Sequence, residues 1–553
     1  MQHPASEQIL TLRDPQQVMR LARMGSFHAS RLSFMRILLR RLKSEHWQFK
    51  RTRWQMDARG EGVAVYQASG PARTYSLVAF GHDLPDEMRS DRVIAQAWDA
   101  TFTLFDGVPS DQDIERLRAN VPVQEAGRVT QSELSLSRAN RSVRLWQHVV
   151  DRLSQGLQPE ASELDAVGYL MRTTAVYGSG KFGAADREVI ADRAEFNAPF
   201  QAEMLSVLMI RQFARDWVEH AARQVGGEQA VTMDDALARR LGIGNSTGLG
   251  MAPFLLNHPV LLNNWIQARE TAIAQVCAIE SPSTEAWDQV QALIRQQRLE
   301  LDYWPDSHPI IQARLPGLAQ DLQAIDQWMG QHAPHWQRLM DYTAEHCQLE
   351  AQELTASLIL EPYPQVDELA PAMAADEANL PVVDGSRSVT ETLQQIEARY
   401  GWALNIDWDC AEAQSHLWYV SEEKLEPRLA MRQDEPLDAY EQPLAPGRDM
   451  AYAWQALKDS DARTLAEFLL RHPQHRGAIQ RLQWLQQAPY GEILDNTTGH
   501  GLLPIDLLRC KLSFFGASRF DPRSDRWVRI CMYRNGPYLH EVASHSDQWV
   551  YGL

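Results

Sequence analysis

Residues 241–270 read LGIGNSTGLGMAPFLLNHPVLLNNWIQARE, and the interpretation of the whole middle of the chain turns on them. Four glycines (Gly242, Gly244, Gly248, Gly250) and three small polar residues (Asn245, Ser246, Thr247) share nine positions before the composition becomes apolar. Glycine admits positive φ and lets backbone approach a ligand closely, so this stretch is expected to be a loop. Asn257 and His258 precede Pro259, a residue favoured at the first helical position. The helix expected from there carries Asn263, Asn264 and Arg269. Backbone N–H groups opening into a helix favour an anion. Asn245, Ser246, Thr247, Asn257, His258 and Arg269 are therefore candidate ligand contacts.

On the N-terminal side, residues 15–45 place apolar side chains at helical spacing among basic ones, which predicts amphipathic helix. From His46 to Gly107 the period falls to two, and WQFKRTRWQMD, GVAVYQASG, TYSLVAFGHDL and ATFTLFDG read as an antiparallel meander. Residues 108–360 read as helical, including an amphipathic helix from Ser132 to Leu157. Four prolines between Glu361 and Ser388 predict a linker or surface strap with few core contacts. Beyond it, helices alternate with strand-like segments, among them WALNIDWDCAEAQSHLWYVS as two strands and more strands after Phe514. The expected class is α+β, mainly α, with a small antiparallel sheet near the N-terminus, a large helical middle and a mixed α+β C-terminal part. The expected domains are 1–107, 108–360, a strap at 361–388, and 389–553.

The 553 residues are 44% hydrophobic, ample for a sizeable core. No run reaches the ~18 apolar residues of a membrane span, and the N-terminus has no apolar core of a secretory signal. Five cysteines without CxxC spacing predict reduced thiols in a cytoplasm. A formal charge of −18 argues against nucleic acid as the main partner. Lysine is scarce: only Lys43, Lys50, Lys181, Lys424, Lys458 and Lys511 stand against a large excess of arginine.

That scarcity singles out Tyr177-Gly178-Ser179-Gly180-Lys181-Phe182-Gly183. It lacks the GxxxxGK[ST] spacing of a phosphate loop, yet Lys181 or Ser179 there is suited to contact an anion, beside Tyr177. The alternative reading is a helix end closed by glycine. Arg138, Arg141 and Arg172 are candidate clamps, because arginine pairs with carboxylate or phosphate bidentately. Glu195 is a candidate general base, with Glu203 nearby, and salt bridging is the competing role. His332 with His335, His472 with His475, and Asp306 with His308 are too short in ligand number to define a metal site.

Gly244, Ser246, Met251, Asn257 and Pro259 resemble the signature loop of the fumarase–aspartase lyases. The spacing differs and the Met-Pro-Lys core is missing, so no residue role carries over from that family. The expectation is a cytoplasmic enzyme acting on a small anionic metabolite by acid–base chemistry of the lyase or isomerase type. Lys181, Ser246, His258 and Glu195 are its catalytic candidates. Tyr177, Ser179, Arg138, Arg141, Arg172, Asn245, Thr247, Asn257 and Arg269 are its substrate contacts. No metal, nucleic acid or membrane is expected; the cofactor is unassigned, and a homo-oligomer is compatible with the sequence. The alternatives are a non-catalytic binding or scaffold protein, and an oxidoreductase whose cofactor site carries no familiar motif.

Overall fold

The computed structural model describes residues 10–85, 98–120, 130–173, 190, 192–248, 255–256, 258–301, 309–374, 382–410, 413, 446–494, 504–516, 519–524 and 527–545. Chain contacts divide the molecule into two compact units. One comprises Arg31–Thr247, Glu300–Ile311 and Phe514–Leu553; the other comprises Met1–Ser30, Gly248–Leu299 and Gln312–Ser513. Helices outnumber strands, in keeping with a mainly α, α+β fold, but the sheet is not small.

The first unit is built on one nine-stranded sheet in the order β1-β2-β3-β4-β5-β6-β7-β9-β8. The alternating segments form β1 (Gln48–Met56), β2 (Gly62–Ser69), β3 (Thr74–Gly81) and β4 (Ala100–Asp106), paired antiparallel as a meander. The sheet then continues where helix was expected. Residues Glu133–Arg141 form β5, antiparallel to β4, and only Trp146–Ser154 is helical in the stretch 132–157. Its Leu134 and Leu136 face one side while Ser135, Ser137 and Ala139 face the other, and all five are buried. The alternation Leu134-Ser135-Leu136-Ser137 is itself a period-two strand pattern. A helix over Ala161–Val167 ends at Gly168 (φ +83°), and Tyr169–Thr173 follows as β6.

The glycine-rich stretch is also a strand. Gly242–Gly248 is β7, parallel to β6, which corrects the expected loop over those residues. Its glycines serve close packing: a Cβ at Gly242 would fall 2.2 Å from the Met532 carbonyl oxygen, and one at Gly244 would fall 2.5 Å from the Tyr169 ring. The tail contributes β8 (Arg519–Ser524) and β9 (Trp527–Met532), strands expected after Phe514; residues 540–544, where a further strand was expected, are turn.

Four helices of this unit are α1 (Phe34–Ser44), α2 (Asp111–Asn120), α3 (Trp146–Ser154) and α4 (Gln201–Gly226). On one sheet face Val63, Val65, Val78, Phe80 and Phe105 pack with Ile114 and Leu117 of α2. On the other, α4 sets Phe213 edge-on to Phe102 at 5.4 Å and sends the Trp217 indole N–H to the Gly60 carbonyl at 2.9 Å. Burying each such ring contributes about 1.5–3 kcal/mol. Arg211 of α4 is wholly buried and donates to the carbonyls of Leu241, Gly536, Pro537 and Arg239 at 2.7–3.3 Å. Its guanidinium also lies 4.0 Å from the Tyr538 ring centroid. One cation thereby ties the entry of β7 to the chain leaving β9.

The second unit is helical: α5 (Pro259–Cys277), α6 (Thr284–Glu300), α7 (Pro309–Gln331), α8 (Trp336–His346), α9 (Leu349–Leu358), α10 (Val389–Tyr400), α11 (Pro446–Lys458), α12 (Leu465–Arg471), α13 (Arg476–Trp484) and α14 (Pro504–Phe515). Pro364 and Pro371 lie in a 3₁₀ helix, Pro364–Met373, that buries Val366, Ala370 and Met373 and packs on α5. This part of the expected strap belongs to the core, because the 3₁₀ turn gathers its apolar residues on one side. Trp402–Cys410 is turn rather than strand, and residues 414–420 lie outside the described residues.

Helices α10 to α13 share a core of Val389, Ile396, Tyr400, Met450, Leu465, Phe468, Ile479 and Leu482. Within it Ser388 and Thr464 pair as an antiparallel bridge. Val389 N–H donates to the Arg463 carbonyl at 3.1 Å and Leu465 N–H to that of Arg387 at 2.9 Å. The segments RSVTETL and RTLAEFL, each capped by its hydroxyl, are thus related by a local two-fold. The five cysteines are free thiols, and no described helix is long and apolar enough to cross a membrane.

Candidate functional site

Strand register gathers a polar band on one face of the sheet. Thr101 stands opposite Arg138, Asn140 opposite Arg172, and Arg172 opposite Gly244. Cross-strand partners share a face, so Thr101, Arg138, Asn140 and Arg172 lie on the face that also carries Val78 and Phe80. Arg172 and Asn140 are buried and Arg138 is half-buried. Arg138 sets its guanidinium 4.5 Å from the Trp98 ring centroid. Asn140 Oδ1 accepts from the Asp99 backbone N–H at 3.0 Å. His82 closes the band, with Nε2 3.2 Å from Thr101 Oγ1 and its backbone N–H on the Asp99 carbonyl at 2.8 Å. Burial lowers the His82 pKa; the Glu61 carboxylate opposes it, and the Arg118 guanidinium adds a smaller lowering.

Arg141 belongs to the opposite face. It stacks at 5.5 and 5.3 Å on the Trp146 and Trp217 rings and holds the Asp99 carboxylate through its backbone N–H and Nε, both at 2.9 Å. Two of the three expected clamps therefore share a surface, and the third braces the strand from behind.

The parallel pairing of β6 with β7 adds a second feature. Thr173, the last residue of β6, stands beside Asn245. The segment with Tyr177, Ser179 and Lys181 continues from Thr173, and the segment beginning at Leu249 continues from β7. Residues 177–183 and the segment from Leu249 therefore come after adjacent parallel strands, whose carboxyl ends are the habitual ligand positions of α/β sheets. Tyr177, Ser179, Lys181 and Asn257 lie outside the described residues. Asn245, Ser246 and Thr247 are positioned by backbone alone, on β7.

Glu195 is buried at the far end of β3 and β4. Its Oε1 accepts the Tyr75 hydroxyl at 2.5 Å, and Arg193 bridges from Tyr75 (3.3 Å) to Asp106 (2.7 Å). Burial and the Glu195 carboxylate push the Tyr75 phenol well above its ordinary value. Arg73 approaches Glu195 to 3.9 Å. Glu203 lies in the first turn of α4, and His258 is the N-cap residue of α5.

Arg269 is engaged in the helical unit. It donates to Glu353 at 2.8 Å and to Glu270 at 3.1 Å, with the Phe27 ring 4.1 Å from its guanidinium carbon. Arg13 and Arg23 meet the same Glu353 carboxylate at 2.8 and 2.5 Å. Burial alone would raise Glu353; Arg13 and Arg269 overcome it and hold the carboxyl well below the usual range.

Of the pairs weighed for a metal, His332 has Nδ1 2.8 Å from the Trp328 carbonyl and His335 caps α8, while Asp306 and His308 lie outside the described residues. Asp235, His540 and Glu541 bring donor atoms within 4.8 Å of one another. Arg215 occupies Asp235 at 2.8 Å and Arg239 pairs with Glu541, so the carboxylate charge there is already compensated. Sequence reasoning passed over His82, a lone histidine at the end of an expected strand; only strand register brings it to the arginines. Comparison with protein-family models, curated proteins and solved structures found no match.

Proposed function

We propose that this protein is an enzyme that binds a small anionic metabolite on the polar face of β4 to β7 and transforms it by acid–base chemistry of the lyase or isomerase type. The observation that carries this reading is the register of Arg138, Asn140 and Arg172 on one face, next to the ends of the parallel strands β6 and β7. Two guanidiniums and an amide in adjacent rows match the acceptor pattern of a carboxylate or phosphate. Stacking on Trp98 holds one guanidinium in orientation before ligand arrives. Ser246, two positions after Gly244 on β7, and Tyr177, Ser179 and Lys181 on the segment after β6 are the further contacts of this proposal. Glu195, engaged with Tyr75 at the far end of β3 and β4, is not part of this proposal.

A calorimetric and thermal-shift screen of di- and tricarboxylates and sugar phosphates tests the reading. A ligand that binds the native chain is expected to lose at least tenfold in affinity with Arg172→Met, since one charge-assisted hydrogen bond contributes about 1.5–3 kcal/mol. Equal affinity in Arg138→Met and Arg172→Met would remove the site from this face.

A further inference from the structure

We infer that His82 is the group that exchanges a proton with the anion held by Arg138 and Arg172. The inference rests on the reading of that face as an anion site. Its basis is geometric: Thr101, the cross-strand partner of Arg138, sits 3.2 Å from His82 Nε2, and the Asp99 backbone links His82 to Asn140, the partner of Arg172. His82 and Asn140 thus flank Asp99, one row along from Thr101 and Arg138.

Thr101 Oγ1 fixes the ring through Nε2 and leaves Nδ1 as the exchanging nitrogen. His82 is half-buried, so a ligand on the face can reach it without the ring being fully hydrated. The charged groups around it are Glu61 from the turn into β2, Arg118 from α2 and the neighbouring Asp83, with Asp99 contributing its carbonyl. Burial, against the pull of Glu61 and with a smaller contribution from Arg118, favours the neutral imidazole, the form that accepts a proton. In the step, Nδ1 takes a proton from the substrate to give imidazolium beside the bound anion, and returns it to the product. Arg138 and Arg172 offset the negative charge that the substrate gains meanwhile.

The test is a pH titration of ring ¹³C and ¹⁵N signals in histidine-labelled full-length protein, with His82→Gln identifying the His82 resonance among the 17 histidines. Malonate and inorganic phosphate serve as probes, and calorimetry in parallel records whether they bind. A bound anion favours the imidazolium, so the His82 midpoint should rise by about half a pH unit or more on saturation. Arg138→Met/Arg172→Met should abolish the rise while leaving the titration of the free protein in place. Binding by calorimetry with an unmoved His82 midpoint overturns this inference and spares the anion site. Failure of both probes to bind overturns the two together.

Discussion

At the residue scale, the buried cation Arg211 and the bare Gly244 set the position of β7. Arg211→Met would leave four buried carbonyls without their donor. The expected loss is about 3 kcal/mol or more, read as a fall in the urea midpoint, and an unchanged midpoint would show that water replaces the guanidinium. Gly244→Ala drives a Cβ into the Tyr169 ring and should cost about 1–3 kcal/mol. The same variant should weaken anion binding if β7 helps define the site, which calorimetry would register. Lys181→Arg is expected to change stability by under about 0.5 kcal/mol and to lower binding or turnover about tenfold, because arginine cannot act as a compact ammonium or proton donor. Full activity in that variant would take the lysine out of the chemistry.

At the element scale, the distinction between strand and loop decides the site. The residues 242–248 look like a loop because glycine and small polar residues are rare in strands. They form a strand because β6 and β9 approach too closely for any side chain at Gly242 and Gly244. The two-fold pair of N-caps in the helical unit is a second example. Thr464 makes a full capping box with Glu467, so Thr464→Ala should cost about 1 kcal/mol. Ser388→Ala should cost a similar amount, and the double variant less than the sum if the bridge couples the two caps favourably. A double-mutant cycle in urea measures that coupling.

At the scale of the whole molecule, acid stability reports on the buried ion pairs of the helical unit. Glu353 with Arg13, Arg23 and Arg269, and Glu350 with Arg509 and His28, both have carboxyls held well below their ordinary range. An unfolded glutamate titrates near about 4.3. The stability these groups confer is fully present above about pH 5 and declines as the pH falls toward their folded values, because the unfolded chain binds the protons. Urea unfolding between about pH 7 and pH 3 should show that decline. Glu353→Gln should flatten it, at a cost of about 3–5 kcal/mol for leaving buried guanidiniums uncompensated. A slope identical to that of the native chain would place the acid sensitivity elsewhere.

What the sequence by itself determined was local. Period-two alternation specified β1 to β4, helical spacing specified α4, α5 and most of the helical unit, and arginine chemistry pointed to Arg138 and Arg172 as clamps. Tertiary structure alone decided the rest. β5 does alternate over Glu133-Leu134-Ser135-Leu136-Ser137, but no turn signal separates it from the helical residues after it; β6 is only five residues long and β7 is stripped to glycine. Arg138, Arg172 and Arg269 look alike in the chain; packing assigned the first two to one sheet face and the third to a carboxylate. His82 acquires a role only through register, since hydrogen bonding across β3, β4 and β5 brings together residues more than fifty positions apart.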